Sequence, residues 1–270
     1  MTEANPLALA IGAGVPLLVL SPHLDDAALS CGALIATAAR QTAVTVVTLF
    51  TEAGPPPYTL SARRYLRQTG ARDARALYRE RRDEDQAALE SLGVGWAHAG
   101  LIEAQHRHRK AASGQASWWT ALLPELVHTY PVYRLHVTSG RLAAADTGIL
   151  RAAVAFVRRL AGRRPPLVLA PLGVGDHVDH VLARVAAQRS GAPLIYYSDF
   201  PYNQRHIADD AFIRRNGLCE VHGPQPTQAK ADLIRCYGTQ ERALFPDGRI
   251  PLVPEVFYCP RTEEHGDGDH

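Results

Sequence analysis

Short apolar runs alternate with segments of helical periodicity along most of this chain. Two of the runs, residues 15–20 and 43–50, consist mostly of Val, Leu and Thr, which suit buried strands. Residues 25–40 lie between them, and their apolar side chains recur at the spacing of one helix face. Repeated strand–helix–strand order predicts a parallel sheet covered by helices. We therefore expect an α/β fold.

The same patterning predicts the elements that follow. A long charged helical stretch ends at Leu92-Gly93, after a loop with three consecutive prolines. Residues 103–114 are polar and lack periodicity, which predicts a mobile loop. Further strands are expected at residues 95–102, 167–170 and 194–197, and further helices at residues 145–160, 180–189 and 227–237.

The length and the composition are those of an ordinary globular protein. The chain has 270 residues, of which 46% are apolar and 21% are charged, and it shows no internal repeat or linker. We expect one domain over residues 1–262. The remaining residues, 263–270, are acidic and rich in Gly, which predicts a disordered tail.

Several classes of protein are disfavoured. The net charge is only +2 and the basic residues form no block, so we expect no nucleic-acid partner. No apolar run reaches the roughly 18 residues that span a bilayer, so we expect no membrane partner. The first apolar run lacks a preceding basic region, which favours a cytoplasmic protein. The four cysteines form no CxxC pair, so neither a disulfide framework nor a thiolate zinc site is predicted.

Two clusters of His and Asp each follow a predicted strand. The first is His23-Leu24-Asp25-Asp26 and the second is His177-Val178-Asp179-His180. Open α/β folds place their sites at the carboxyl ends of parallel strands, so the two clusters are expected to meet. Imidazole and carboxylate groups together suit a borderline divalent cation. The pattern therefore predicts one metal centre assembled from distant parts of the chain.

The chemistry of such a centre suggests a role for each side chain. One imidazole and one carboxylate of the first cluster, His23 and Asp26, would join His180 in a His2Asp ligand set. Asp25 would then be free to act as a general base towards water. His177 lies about one helical turn from His180, and as a protonated imidazole it would stabilise an oxyanion or donate to a leaving amine.

Each cluster taken alone has a simpler interpretation. His-x-Asp-Asp can be a helix N-terminal cap without chemistry, and His-x-x-His can be a surface pair. Their joint occurrence after two buried strands favours a site. Other sites lack support, because no Gly-x-Gly-x-x-Gly, Walker lysine or Gly-x-Ser-x-Gly motif is present.

The clusters resemble the His-x-Asp-Asp and His-x-Asp-His motifs of the LmbE-like, or PIG-L, deacetylase family. The similarity extends to Arg81-x-x-Glu84, to Asp199-Phe200-Pro201-Tyr202 and to Lys230 followed by Tyr237-Gly238-Thr239-Gln240. The order and spacing agree over roughly residues 15 to 258. The resemblance implies a Rossmann-like three-layer αβα sandwich with a mostly parallel sheet.

The resemblance also implies an activity and the residues that carry it. The chain would be a zinc-dependent N-deacetylase that removes the N-acetyl or N-acyl group from an N-acetylglucosaminyl-type amino sugar or its conjugate. Zn²⁺ is the expected cofactor, with Fe²⁺ or another divalent ion as the alternative. The residue roles implied are metal ligands His23, Asp26 and His180, base Asp25, acid or electrophile His177, and substrate contacts Arg81 and Asp199.

The first motif departs from the common form of the family. Leu24 stands where many members have Pro, and Ala27 stands where many have Glu. This variant is more similar to deacetylases of antibiotic tailoring, including glycopeptide pathways. Two alternatives stay open, namely an amidase acting on another acylated conjugate at the same metal site and a non-catalytic sugar-binding relative. The expected partner is a small amino-sugar substrate, and a homo-oligomer is compatible with the sequence.

Overall fold

The computed structural model describes residues 5–109, 122–162 and 165–261. Its strands are β1 Leu17–Ser21, β2 Val44–Glu52, β3 Gly95–Ile102, β4 Leu167–Pro171, β5 Leu194–Tyr197, β6 Leu218–His222 and β7 Val256–Pro260. They form one sheet in the order β3-β2-β1-β4-β5-β7-β6. Strands β1 to β5 pair in parallel, whereas β7 is antiparallel to both of its neighbours. The predicted α/β fold with a mostly parallel sheet is confirmed.

Helices connect the strands and cover the sheet. They are α1 Pro6–Gly12, α2 Asp26–Ala38, α3 Leu60–Gln68, α4 Ala74–Ser91, α5 Thr147–Ala161, α6 Val178–Ser190, α7 Asp210–Arg215, α8 Gln228–Arg235 and α9 Gly238–Leu244. Among the described ranges, no helix combines the length and the apolar character needed to cross a bilayer.

Alternate side chains of the central strands bury into two separate cores. Leu17 and Val19 of β1 pack with α1 and α2, whereas Leu18 and Leu20 pack with α5 and α6. Successive strand residues point to opposite faces, so a strand that is apolar throughout needs cover on both sides. The result is the three-layer αβα sandwich that the resemblance implied.

The strand order reverses its direction at β1 and β4. The chain moves outward from β1 to β2 and β3, and then returns to add β4 on the other side of β1. Such a reversal leaves a crevice beyond the carboxyl ends of the two central strands. Helix α2 begins just after β1 and helix α6 begins just after β4, so both His/Asp clusters open onto this crevice.

The structure corrects some of the predicted elements. The long charged helical stretch is two helices, because Gly70 adopts a positive φ after α3 and Asp73 caps the start of α4 by accepting from the Ala76 amide. Strands β6 and β7 were not predicted. The prediction that a mobile loop begins at residue 103 is wrong, because Glu103 and Arg107 are buried. Residues 110–114 of that loop and the expected tail, 263–270, lie outside the described residues.

Candidate active site

The first cluster lies in the tight turn from β1 into α2. The Ser21 hydroxyl donates to the His23 carbonyl (2.6 Å) and accepts from the Ala27 amide (3.0 Å). The Asp26 carboxylate in turn accepts from the His23 amide (2.8 Å). These bonds fix the turn, and the His23, Asp25 and Asp26 side chains are buried at the end of the strand.

The structure brings the three expected metal ligands together. Asp26 Oδ2 lies 3.1 Å from His23 Nδ1 and 3.3 Å from His180 Nε2. The three residues offer ligand atoms within 4.8 Å of one another. Within the described part of the chain, buried His180 Nε2 has no hydrogen-bond partner. A buried imidazole nitrogen without a partner, beside a carboxylate and a second imidazole, fits a divalent cation.

A second carboxylate holds the outer nitrogen of each imidazole. His23 Nε2 lies 3.2 Å from Asp179 Oδ2, and His180 Nδ1 lies 2.6 Å from Asp199 Oδ1. Histidines that bind metals commonly donate their other N–H to a carboxylate, which fixes the tautomer and turns the free lone pair towards the ion. The arrangement leaves His23 Nδ1 and His180 Nε2 for a metal.

A second set of donors, His23, His177 and Asp179, also lies within the same distances. It suits a metal less well. The Asp179 carboxylate already pairs with Arg107 and accepts from the Ala104 amide (2.8 Å). The Nδ1 of His177 accepts from the Asp179 amide (3.2 Å). We therefore favour the set that contains His180.

The ionisable groups of the favoured set influence each other strongly. Burial alone would raise the pKa of Asp26, but the His180 and His23 imidazoles outweigh it and hold this pKa well below its usual range. Burial alone would lower the pKa of His180, but Asp26 and Asp199 raise it to about 9. The same two carboxylates that favour a proton on His180 also favour a metal cation in place of that proton.

Asp25 lies beside this set with a different environment. Burial, followed by the Asp26 carboxylate, raises the pKa of Asp25 to about 7, although the Arg81 guanidinium opposes the rise. Arg81 Nη2 lies 3.6 Å from Asp25 Oδ1. A general base is most effective when its pKa lies near the working pH. The raised pKa of Asp25 meets this condition.

His177 caps the start of α6 and is buried against His23. Their ring centroids are 4.9 Å apart in an edge-on arrangement. Burial, followed by the His23 imidazole, lowers the pKa of His177 well below its usual range. Because Nδ1 accepts from the Asp179 amide, the single proton resides on Nε2. The structure therefore favours a neutral donor in place of the protonated imidazole that we expected.

The two expected substrate contacts are both buried. The Asp199 carboxylate accepts from the Gly173 and Val174 amides, each at 2.8 Å, and its other oxygen contacts His180. Asp199 is 1% exposed, so it supports His180 and has no oxygen directed to a substrate. Arg81 lies between Asp25 and Glu103, 3.5 Å from the Glu103 carboxylate. Its placement fits a contact with the Asp25 carboxylate and not with a substrate.

Sequence reasoning missed several residues around the site. Asp179 could have been identified from the sequence, because it lies inside the second motif. Arg107 and Glu103 could not, because they belong to a polar segment without periodicity. Tyr202 also lies at the site, with its ring centroid 5.3 Å from that of His180.

Comparison with known proteins places these residues in a wider context. The family model described as PIG-L: GlcNAc-PI de-N-acetylase matches residues 18–190, which include both His/Asp clusters. A 2'-N-acetylparomamine deacetylase of Streptomyces fradiae is 31% identical over 204 residues, which are 71% of this chain and 60% of that protein. The chain thus spans less than two thirds of the length of this relative.

Solved structures share the fold over nearly the whole chain. A deacetylase of teicoplanin biosynthesis, crystallised as a complex with bog, is 26% identical with a TM-score of 0.66, covering 90% of this chain and 96% of the other. A40926 pseudoaglycone deacetylase is 26% identical with a TM-score of 0.56, covering 91% and 97%. A 4-carboxy-2-hydroxymuconate hydratase of Pseudomonas putida, 20% identical with a TM-score of 0.51 over 93% and 98% of the chains, shares the fold alone.

Proposed function

Because the chain belongs to the PIG-L, or GlcNAc-PI de-N-acetylase, family, we propose that it is a metal-dependent N-deacetylase of amino-sugar conjugates. The observation that carries this proposal is the position of Asp25. Its carboxylate, with a pKa of about 7, is buried beside a His2Asp donor set and an Nε2-protonated His177. Fold alone would not support the proposal, since one fold hosts several chemistries.

We propose His23, Asp26 and His180 as the metal ligands, with Zn²⁺ as the ion and Fe²⁺ or another divalent ion as the alternative. The support is the donor set, the unpartnered His180 nitrogen and the two outer carboxylates. When bound there, such an ion supplies polarisation of an amide carbonyl and a lower pKa for water. Asp199 and Asp179 act through His180 and His23 by fixing their rings.

The chain's own residues account for the proton transfers. Asp25 accepts a proton from the water that attacks the amide carbon, and Arg81 holds the Asp25 carboxylate in place. His177 keeps its proton and donates a hydrogen bond from Nε2–H to the carbonyl oxygen, where negative charge develops. The proton held by Asp25 then passes to the departing nitrogen. The products are acetate, or another carboxylate, and a free amine.

We propose an acetylated amino sugar within a larger small-molecule conjugate as the substrate. Two observations support this substrate. Leu24 and Ala27 form the variant of the first motif that resembles deacetylases of antibiotic tailoring. The relatives are named for acetylparomamine, teicoplanin and A40926 pseudoaglycone. A single domain over residues 1–262 and a cytoplasmic location belong to the same proposal.

The test compares metal-stripped protein with zinc-reconstituted protein on a panel of N-acetylglucosaminyl conjugates. The panel includes 2'-N-acetylparomamine and N-acetylated glycopeptides, and both primary amine and acetate are measured. We expect release only with metal, and a loss of turnover of about 10²-fold or more in Asp25→Asn. Asp83→Asn, an exposed change on α4, is the matched control.

The possible outcomes separate the alternatives. Full turnover by Asp25→Asn would show that another group is the base. Release from a different acylated conjugate alone would favour an amidase at the same metal site. Sugar binding without release at any metal loading would favour a non-catalytic relative.

A further inference from the structure

An open cavity of about 420 Å³ lies between helix α4 and the ends of strands β2 and β3. The strands contribute Glu52, Gly100 and Ile102 to its lining, and α4 contributes Arg75, Arg79 and Arg82. None of the residues that we place in the active site belongs to this lining. Binding sites for small organic molecules have volumes of roughly 300–1,000 Å³, so the cavity is large enough for one.

The three arginines project from one side of α4. Arg75, Arg79 and Arg82 are spaced by four and then three residues, which is the spacing of side chains that share a helix face. Arg81 points elsewhere, since its Nη2 lies 3.6 Å from Asp25 Oδ1 in the active site. The helix therefore presents arginine side chains to two separate places, the active site and this cavity.

One of the three arginines is already paired. Arg82 Nη1 donates to the Thr51 carbonyl (2.7 Å) and lies 2.8 Å from Glu52 Oε1. These contacts fix Arg82 at the end of β2 and offset its charge. Within the ranges that the structure describes, Arg75 and Arg79 form no ion pair. The cavity thus carries an excess of two positive charges.

An excess of two positive charges favours a dianion. A phosphate monoester carries about 1.5 to 2 negative charges at pH 7 and has three strong acceptor oxygens. Guanidinium groups bind phosphate through two parallel N–H···O bonds, which adds a geometric fit to the attraction of charge. A carboxylate carries a single charge and matches the cavity less well. The cavity is also larger than a phosphate group, so it has room for the organic part of a small molecule beside Ile102 and the bare backbone of Gly100.

We propose that this cavity is a second binding site, which takes a small molecule that carries a phosphate monoester. Arg75 and Arg79 bind the phosphate, and Arg82, fixed by Glu52, completes the basic lining. The site shares no residue with the proposed metal set or with Asp25, so it is independent of the proposed deacetylation. Because its charges face solvent, binding should weaken as the salt concentration rises.

Isothermal titration calorimetry of the full-length protein tests this proposal, with glucose 6-phosphate as the probe. Glucose lacks the phosphate, and glucuronate carries a carboxylate in its place. We expect one equivalent of glucose 6-phosphate to bind, and glucose to give no measurable binding. Glucuronate should bind at least about tenfold more weakly than the probe. Arg75→Gln and Arg79→Gln should each lower the affinity for glucose 6-phosphate by about tenfold or more.

Three controls accompany the titration. Arg64→Gln, an exposed change on α3 that removes the same charge, is the matched variant and should bind the probe like the wild type. Arg75 and Arg79 are exposed as well, so their variants should keep the circular dichroism and melting temperature of the wild type without probe. Chelator-treated and zinc-loaded protein should bind the probe equally, because the cavity lies outside the metal set.

No binding of glucose 6-phosphate, or wild-type affinity in both cavity variants, would overturn the proposal. Equal weakening in Arg64→Gln would overturn it as a general effect of charge, and equal affinity for glucuronate would overturn the assignment to phosphate. A requirement for zinc would place the probe at the active site instead. All of these readouts measure binding and not turnover, so a failure of the deacetylase proposal would leave them unchanged.

Discussion

Replacing Asp25 by Asn should stabilise the metal-free protein by an amount that grows as the pH rises from about 4 to 7. The folded chain raises the pKa of Asp25 from 3.8 to about 7, chiefly because the carboxyl is buried. Between these values the folded state holds a proton that the unfolded state has released. The stability that Asp25 contributes is therefore complete below about pH 4 and is lost as the pH rises through 7. Asn does not titrate, so the variant escapes this loss.

The size of the effect follows from the pKa difference. The shift is about 3 pKa units, and each unit corresponds to about 1.4 kcal/mol, so the difference in unfolding free energy approaches about 4 kcal/mol above pH 8. At pH 4 both proteins carry a neutral group at position 25, and the pH-dependent difference vanishes. In a chain of this size, 1 kcal/mol moves the melting temperature by roughly 2–4 °C.

The assay is thermal or urea unfolding of chelator-treated protein from pH 4 to pH 9. We expect the curves of Asp25→Asn and wild type to separate progressively between about pH 4 and pH 7. Asp83→Asn, an exposed change on the same protein, should follow the wild type throughout. Parallel curves for Asp25→Asn and wild type would refute the reasoning, because they would show that Asp25 ionises in the folded state as it does in the unfolded chain.

Two further predictions concern residues around His180. Asp199→Asn removes the negative charge behind its Nδ1, so metal affinity should fall by about 10–100-fold in equilibrium dialysis; an unchanged affinity would show that Asp199 does not orient the ring. Gly175→Ala would place a Cβ 2.7 Å from the Tyr202 ring at a φ of +84°, so the unfolding free energy should fall by about 1–3 kcal/mol in urea denaturation. Wild-type stability in this variant would contradict the close approach.

The sequence was sufficient to predict that the two His/Asp clusters meet. His23 and His180 are far apart in the chain, but each follows an apolar run that reads as a buried strand. Parallel strands end at a common edge, so the two clusters had to face one crevice. The repeated strand–helix–strand order also predicted a parallel sheet covered by helices.

What the sequence could not predict depends on packing between distant segments. Asp199 reads equally well as a substrate contact or as the partner of His180, and only the structure shows both of its oxygens occupied. Arg107 lies in a polar segment without periodicity, yet the fold buries it against Asp179, 72 residues away. Strands β6 and β7 are short antiparallel additions to the sheet, so they carry weak patterns of their own.

The Asp179 carboxylate has a consequence for exchanging parts between related chains. Its Oδ2 contacts the His23 imidazole and accepts from the Ala104 amide, and its Oδ1 accepts from the Arg107 guanidinium. The chain up to Arg107 is thus part of the frame that orients a proposed metal ligand, whereas residues 110–121 lie beyond that anchor in the sequence. A graft that replaces residues 110–121 should therefore begin after Arg107. A junction placed earlier would also change the orientation of His23.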